Sequence, residues 1–157
     1  MLSKLLIRSC ALVLLLPLLL SCRGFAQAGP AALDSPVGQW KTVDDTTGKV
    51  KSIVAIREEN GKLFGTIEKV LDPDAPPNPL CIRCEGDLKN RPLIGMQFLW
   101  GMAKDGDQWS GGQILDPDNG KVYRCFLALE ENGKKLKVRG YIGIALLGRT
   151  QYWVRTQ

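Results

Sequence analysis

The chain contains no histidine. This absence excludes Ser-His-Asp and Cys-His catalysis, zinc sites built on imidazole, and any imidazole general base. Cysteine is scarce as well, and only Cys81, Cys84 and Cys125 follow residue 28. Three thiols without histidine cannot complete a four-ligand structural zinc site. No other set of catalytic residues is visible, so an enzyme ranks third among the functions that the sequence leaves open, and we predict no cofactor or metal.

Long apolar runs are absent except near the N-terminus. The run 11–20 is shorter than the roughly 20 apolar residues that span a bilayer. It follows the basic residues Lys4 and Arg8 and precedes a polar stretch, an arrangement typical of an export signal. We therefore predict that residues 1–28 are a signal peptide and that the protein is periplasmic or secreted.

Two cleavage sites remain open. Ala26-Gln27-Ala28 fits ordinary signal peptidase, whereas Leu19-Leu20-Ser21-Cys22 resembles a bacterial lipobox. In the second case the signal ends before Cys22, and a lipid on that residue could anchor the protein to the outer membrane. That anchor is the only membrane contact that the sequence predicts.

Most of the positive charge belongs to the leader. The whole chain has a formal net charge of +5, whereas residues 29–157 contain 18 basic and 16 acidic residues, a net charge of +2. A basic isoelectric point is therefore poor evidence for a nucleic-acid partner, and we predict none.

Helical periodicity is also missing after the leader. After a spacer at 29–36, turns separate eight short segments in which apolar residues recur at every second position. Among these turns are the hairpin signals Asn60-Gly61 and Asn132-Gly133. Eight strands joined by hairpin-type connections favour a closed barrel, because a sandwich would need longer crossovers. We predict one all-β domain at 37–157, an eight-stranded antiparallel up-and-down β-barrel.

The stretch 76–102 interrupts this regular pattern. A proline-rich loop with two cysteines leads into the most apolar predicted strand, 93–103, in which the even-numbered residues are large and apolar. That face could be solid core, or it could line a cavity, since an eight-stranded barrel can hold one small ligand. The predicted ligand-binding residues are Met96, Phe98, Trp100, Met102 and, on a later strand, Tyr123. Arg139, Arg149, Arg155 and Lys89 could hold an anionic head group.

Cys81 and Cys84 allow three interpretations. A redox pair normally lies at a helix N-terminus, and no helix is predicted here. A metal or partner contact is a further possibility. We favour a structural disulfide that fixes the loop, because an exported protein meets an oxidising compartment, and we expect Cys125 to be a buried free thiol on the inner face.

Aspartates in two turns also suggest calcium. Asp116-x-Asp118-x-Gly120 resembles the start of a calcium-binding loop, but Leu127 stands where an EF-hand has its glutamate. The same residue types are those that tight turns select, so the turn interpretation is preferred.

Five ordered motifs resemble the bacterial family called domain of unknown function 2147 (DUF2147). They are Pro36-Val-Gly-Gln-Trp40, Cys81-x-x-Cys84, Pro92-Leu-x-Gly-Met96, Leu115-Asp-Pro117 and Arg139-Gly-Tyr-Ile-Gly143. The resemblance implies a lipocalin-like or calycin-like fold. Gly38-x-Trp40 is separately similar to the Gly-x-Trp signature of lipocalins, in which an arginine of the last strand packs on the tryptophan at the barrel floor. Arg155 and Arg149 are the candidates here.

The sequence thus predicts a periplasmic protein that binds a small hydrophobic or amphiphilic molecule inside a β-barrel. The alternative is an interaction module of the cell envelope with a filled core and a functional Cys81–Cys84 loop. A cavity of roughly 300 Å³ or more would favour the first function.

Overall fold

The protein is an eight-stranded antiparallel barrel. The computed structural model describes residues 33–156. Each strand pairs with the next along the chain, and the first pairs with the last, so the sheet closes. The strands are β1 Gly38–Val43, β2 Val50–Glu59, β3 Lys62–Val70, β4 Gln97–Asp105, β5 Gln108–Asp116, β6 Lys121–Glu130, β7 Lys135–Tyr141 and β8 Arg149–Arg155. The predicted fold class is confirmed.

Two short 3₁₀ segments, Gly86–Leu88 and Ala145–Leu147, interrupt the loops. Within residues 33–156, no helix has the length and apolar character needed to cross a membrane. The predicted signal peptide, Cys22 and residues 29–32 of the spacer lie outside the described residues.

Up-and-down connectivity gives the barrel two distinct ends. We call one end the mouth; it carries the loops 44–49, 71–96, 117–120 and 142–148. We call the other end the floor; it carries the segment 33–37 and the tight hairpin turns. At the first of these turns, a predicted hairpin, Asn60 and Gly61 have φ angles of 51° and 74°, as a type I′ turn requires.

Strand β4 departs from the predicted pattern. It begins at Gln97 rather than at residue 93, and two extra residues in β4 bulge against β3, so that Gln97 pairs with Thr66 and Met102 with Leu63. Each bulge shifts the alternation of side chains by one residue. The expectation that the even-numbered residues 94–102 share one face is therefore wrong.

Candidate functional site

The barrel is hollow at the mouth and filled near the floor. A cavity of about 500 Å³ occupies its mouth half, with walls that include Val54, Ile67, Phe98, Val138 and Trp153. All five side chains are buried, and the Phe98 and Trp153 rings lie 5.9 Å apart. The floor half is filled by side chains that have no access to solvent: Trp40, Leu63, Met102, Leu127 and Leu136. The cavity is therefore an apolar chamber that ends on a solid base.

Ion pairs surround the cavity at the mouth. Lys51 of β2 donates to Asp118 of the opposite β5–β6 turn across a distance of 2.5 Å. Arg149 of β8 binds both carboxylate oxygens of Asp45 and approaches Asp116 at 3.9 Å. The contact with Arg149 lowers the pKa of Asp45 and raises that of the arginine. The hydrogen bond to Asp118 likewise raises the pKa of Lys51.

The cavity and its charged mouth together suit an amphiphilic molecule. The walls are mostly apolar, although they include the Gln151 amide, which accepts a hydrogen bond from the Trp153 indole at 3.2 Å, and the charged groups lie at the entrance. The Tyr123 hydroxyl also lies at this level, where it accepts a hydrogen bond from the Asn119 amide at 2.9 Å. A molecule with an apolar body and a polar end could bury the first and leave the second at the mouth.

The structure divides the predicted ligand-binding residues. Phe98 and Tyr123 line the cavity. Met96 and Met102 are buried in the core and lie outside the lining, and Met102 belongs to the filled half. Trp100 lies outside the cavity lining; it pairs with the exposed Gln113 of β5 and packs, partly buried, against the core. The bulges in β4 are the cause.

The two candidate arginines lie at opposite ends of the barrel. At the floor, the Arg155 guanidinium lies 4.2 Å from the centre of the Trp40 ring. It donates to the carbonyls of Ser35, Val37 and Gly133 at 2.7–2.8 Å. Arg149 lies at the mouth, so Arg155 is the arginine of the last strand that packs on Trp40.

The long loop partly covers the mouth. Its residues Asp72, Ala75, Pro79 and Leu93 contribute to the cavity lining. A disulfide joins Cys81 to Cys84, both buried, with their Cα atoms 5.3 Å apart. From the same loop, Arg83 donates to the carbonyl of Asp118 at 2.7 Å. The disulfide therefore fixes a loop that contacts the turn to which Lys51 binds.

Neither a redox role nor a metal-binding role gains support from the residues around Cys81 and Cys84. No helix begins at the two cysteines, so the setting that lowers a thiol pKa is missing there. Among residues 33–156, no group of three or more Cys, Asp or Glu side chains is placed to hold a metal ion. In the turn that resembled a calcium loop, Asp116 accepts hydrogen bonds from the Asp118 backbone and the Asn119 amide, as in an ordinary turn.

Cys125 is a free thiol with no access to solvent. It pairs with Gly140 on the inner face, in line with Leu127. Burial raises its pKa to about 12, because an apolar environment disfavours the thiolate. The described structure thus agrees with the predicted state of this cysteine.

Sequence reasoning missed most of the cavity walls. Val54, Ile67 and Val138 lie at alternating positions of their strands, and this periodicity was a usable signal. Trp153 carried no such signal, because its place opposite Phe98 follows from closure of the barrel between β8 and β1. The ion pairs at the mouth join residues that are 67 and 104 positions apart in the chain.

Comparisons with known proteins agree with this fold. The family described as "Uncharacterized protein conserved in bacteria (DUF2147)" matches residues 38–155. The solved structure of protein HP1028 from the human pathogen Helicobacter pylori, described as belonging to the lipocalin family, is similar with a TM-score of 0.67. It is 25% identical, and the match covers 78% of this chain and 84% of that one. No curated protein matches the chain.

Proposed function

The chain belongs to the DUF2147 family, and from its lipocalin-like barrel we propose that it binds a small hydrophobic or amphiphilic molecule in the cavity. The observation that carries this proposal is the apolar chamber of about 500 Å³ beneath a polar mouth. Ligand pockets typically measure about 300–1,000 Å³. The description of the similar Helicobacter protein as a lipocalin supports the same function.

The chamber is large enough to supply useful affinity. Each buried methylene contributes about 0.8 kcal/mol, so ten of them would contribute about 8 kcal/mol before ordering costs. A net free energy of that size corresponds to a dissociation constant of about 1 μM. Since the cations at the mouth are already paired with carboxylates, an anionic head group gains little there. We therefore expect neutral amphiphiles, such as fatty alcohols, to bind at least as well as the corresponding carboxylates.

Tryptophan fluorescence tests this function. Trp153 lines the cavity, so its emission should change in the presence of micromolar decanol. Trp153→Phe should remove most of the change in emission, while calorimetry still detects binding. A response that persists in this variant would come from a tryptophan outside the cavity and would contradict the proposed site.

A cavity-filling variant provides the matched test. Gly140 lines the cavity, and a Cβ added there would lie 3.5 Å from the nearest atom, which is an ordinary contact. Gly140→Leu should therefore fold normally and weaken decanol binding at least tenfold, whereas Gly140→Ala should bind nearly as the parent does. Equal affinity in all three proteins would exclude the cavity as the binding site.

We further propose that the protein acts outside the cytoplasm. The signal-like N-terminus supports this, as does the disulfide between Cys81 and Cys84, a bond typical of oxidising compartments. Intact-mass analysis of the protein from its host should find either a chain that begins at Gly29 or a lipidated chain that begins at Cys22. A chain that retains Met1 would contradict export.

A further inference from the structure

The most exposed aliphatic side chains of the described structure gather at the mouth. Five of them are 60% or more exposed, and all five belong to mouth loops: Ile82, Ile142, Ile144, Leu146 and Leu147. Leu146 and Leu147 reach 82% and 79%. Four of the five lie in the segment 142–147, which we call the apolar loop and which contains no charged residue. Single exposed aliphatic residues are common, but a cluster confined to one end marks an interaction surface.

The apolar loop is held in place from the barrel. The Arg139 guanidinium donates to the carbonyls of Ala145 and Leu146 at 2.8 and 3.0 Å, and to the Thr150 hydroxyl at 2.6 Å. Gly148 packs so closely on β7 that an added Cβ would lie 2.9 Å from the Tyr141 side chain. The loop therefore presents its aliphatic side chains to solvent in a fixed arrangement instead of folding them onto the barrel.

We propose that the apolar loop docks the mouth of the barrel on a lipid bilayer. Its four large side chains offer about 400 Å² of aliphatic surface, about half of the roughly 800 Å² per partner of a stable protein–protein interface. A bilayer needs neither that area nor a complementary shape. The loop also lacks the aromatic and arginine residues that dominate protein interfaces.

The position of the loop supports the same partner. Ile142 and Leu147 belong both to the loop and to the cavity lining, so one apolar surface continues from the chamber to the tip. Insertion of the tip would bring the cavity entrance to the acyl chains of the membrane. Docking itself does not depend on the proposed ligand, since it requires only the loop.

The expected binding is weak and reversible. The four side chains carry about sixteen carbons, similar to a single myristoyl chain, which gives a partition constant of about 10⁴ M⁻¹. Replacing one of the leucines that insert into the membrane by serine should reduce partitioning of the protein into vesicles about tenfold. Because apolar transfer drives the contact, binding should occur on uncharged lipid and should persist at high salt.

Quenching by brominated lipid tests the proposal on the full chain. In L146W the introduced indole lies at the tip; in V154W it lies on the outer face of β8 at the floor end. Vesicles of phosphatidylcholine with brominated acyl chains, in 0.5 M salt, should quench the introduced indole of L146W and leave that of V154W unchanged. Adding Leu147→Ser to L146W should weaken vesicle binding, measured by this quenching, about tenfold. Because the N-terminal segment is common to all variants, the comparison isolates the loop.

Several outcomes would overturn the proposal. Equal quenching of L146W and V154W would mean that another part of the chain binds the vesicle. Absence of quenching, or no effect of Leu147→Ser, would show that the loop does not insert. Binding that requires anionic lipid and disappears in 0.5 M salt would indicate charge-driven adsorption. A dimer in sedimentation that Leu146→Ser abolishes would assign the loop to a second copy of the chain.

Discussion

At the scale of single residues, the contact between Trp40 and Arg155 explains how the floor is closed. Trp40 is fully buried and donates from its indole to the carbonyl of Pro36 at 2.8 Å. Arg155 covers the ring and binds three carbonyls of the floor segments. Burial lowers the pKa of Arg155, because desolvation disfavours the cation. Its hydrogen bonds and the ring offset that cost and tie the last strand to the N-terminal segment.

Trp40→Ala should lower the free energy of unfolding by about 3–5 kcal/mol, as large-to-small substitutions in cores do. Urea denaturation of the variant measures this loss. Tyr152→Ala is the control, because that side chain is 45% exposed and its removal should cost clearly less. A loss below about 1 kcal/mol for Trp40→Ala would show that the floor does not depend on this ring.

Cys125 should be chemically inert in the native protein. With a pKa of about 12, only about one thiol in ten thousand is ionised at pH 8, and the sulfur has no access to solvent. Peptide mapping after treatment with iodoacetamide should find Cys125 unmodified at pH 8 and fully modified in 8 M urea. Rapid modification of the folded protein would mean that the interior opens to solvent at this strand.

At the scale of elements, the sequence predicted the strands well and the shape of β4 poorly. Strands β1, β6 and β8 are alternating runs flanked by clear turn residues, which is the pattern from which eight strands were predicted. In β4, Gly101 adopts a φ of +67° within the strand. Glycine there allows a bulge, but its presence in a sequence does not reveal on which strand the extra residue lies. That ambiguity decided whether Trp100 faced inward or outward.

The close approach of β4 and β5 gives an element-level prediction. A Cβ on Gly112 of β5 would overlap the carbonyl oxygen of Trp100 and lie 2.8 Å from the amide nitrogen of Met102. Gly112→Ala should therefore destabilise the barrel by about 1–3 kcal/mol. Gly140→Ala meets only ordinary contacts and should change stability by less than 1 kcal/mol. Similar urea midpoints for the two variants would show that the strands are not packed this closely.

At the scale of the whole molecule, the barrel combines a filled half with a hollow half. The sequence left open a solid core or a ligand wall for the residues of one strand, and the structure assigns Met102 to the first and Phe98 to the second. Local periodicity could not make that division. It depends on the register of all eight strands, which sets the level at which each inward side chain lies.

The central claim is that the mouth half of the barrel accommodates an apolar molecule. The most direct measurement is a crystal structure of the protein soaked with 10-bromodecanol, with the bromine located by its anomalous signal. We predict a bromine site inside the barrel, in contact with Phe98 and Trp153, with the hydroxyl of the alcohol near Lys51 and Arg149 at the mouth. An interior that contains only ordered water, or that has collapsed until these two rings fill it, would contradict the account.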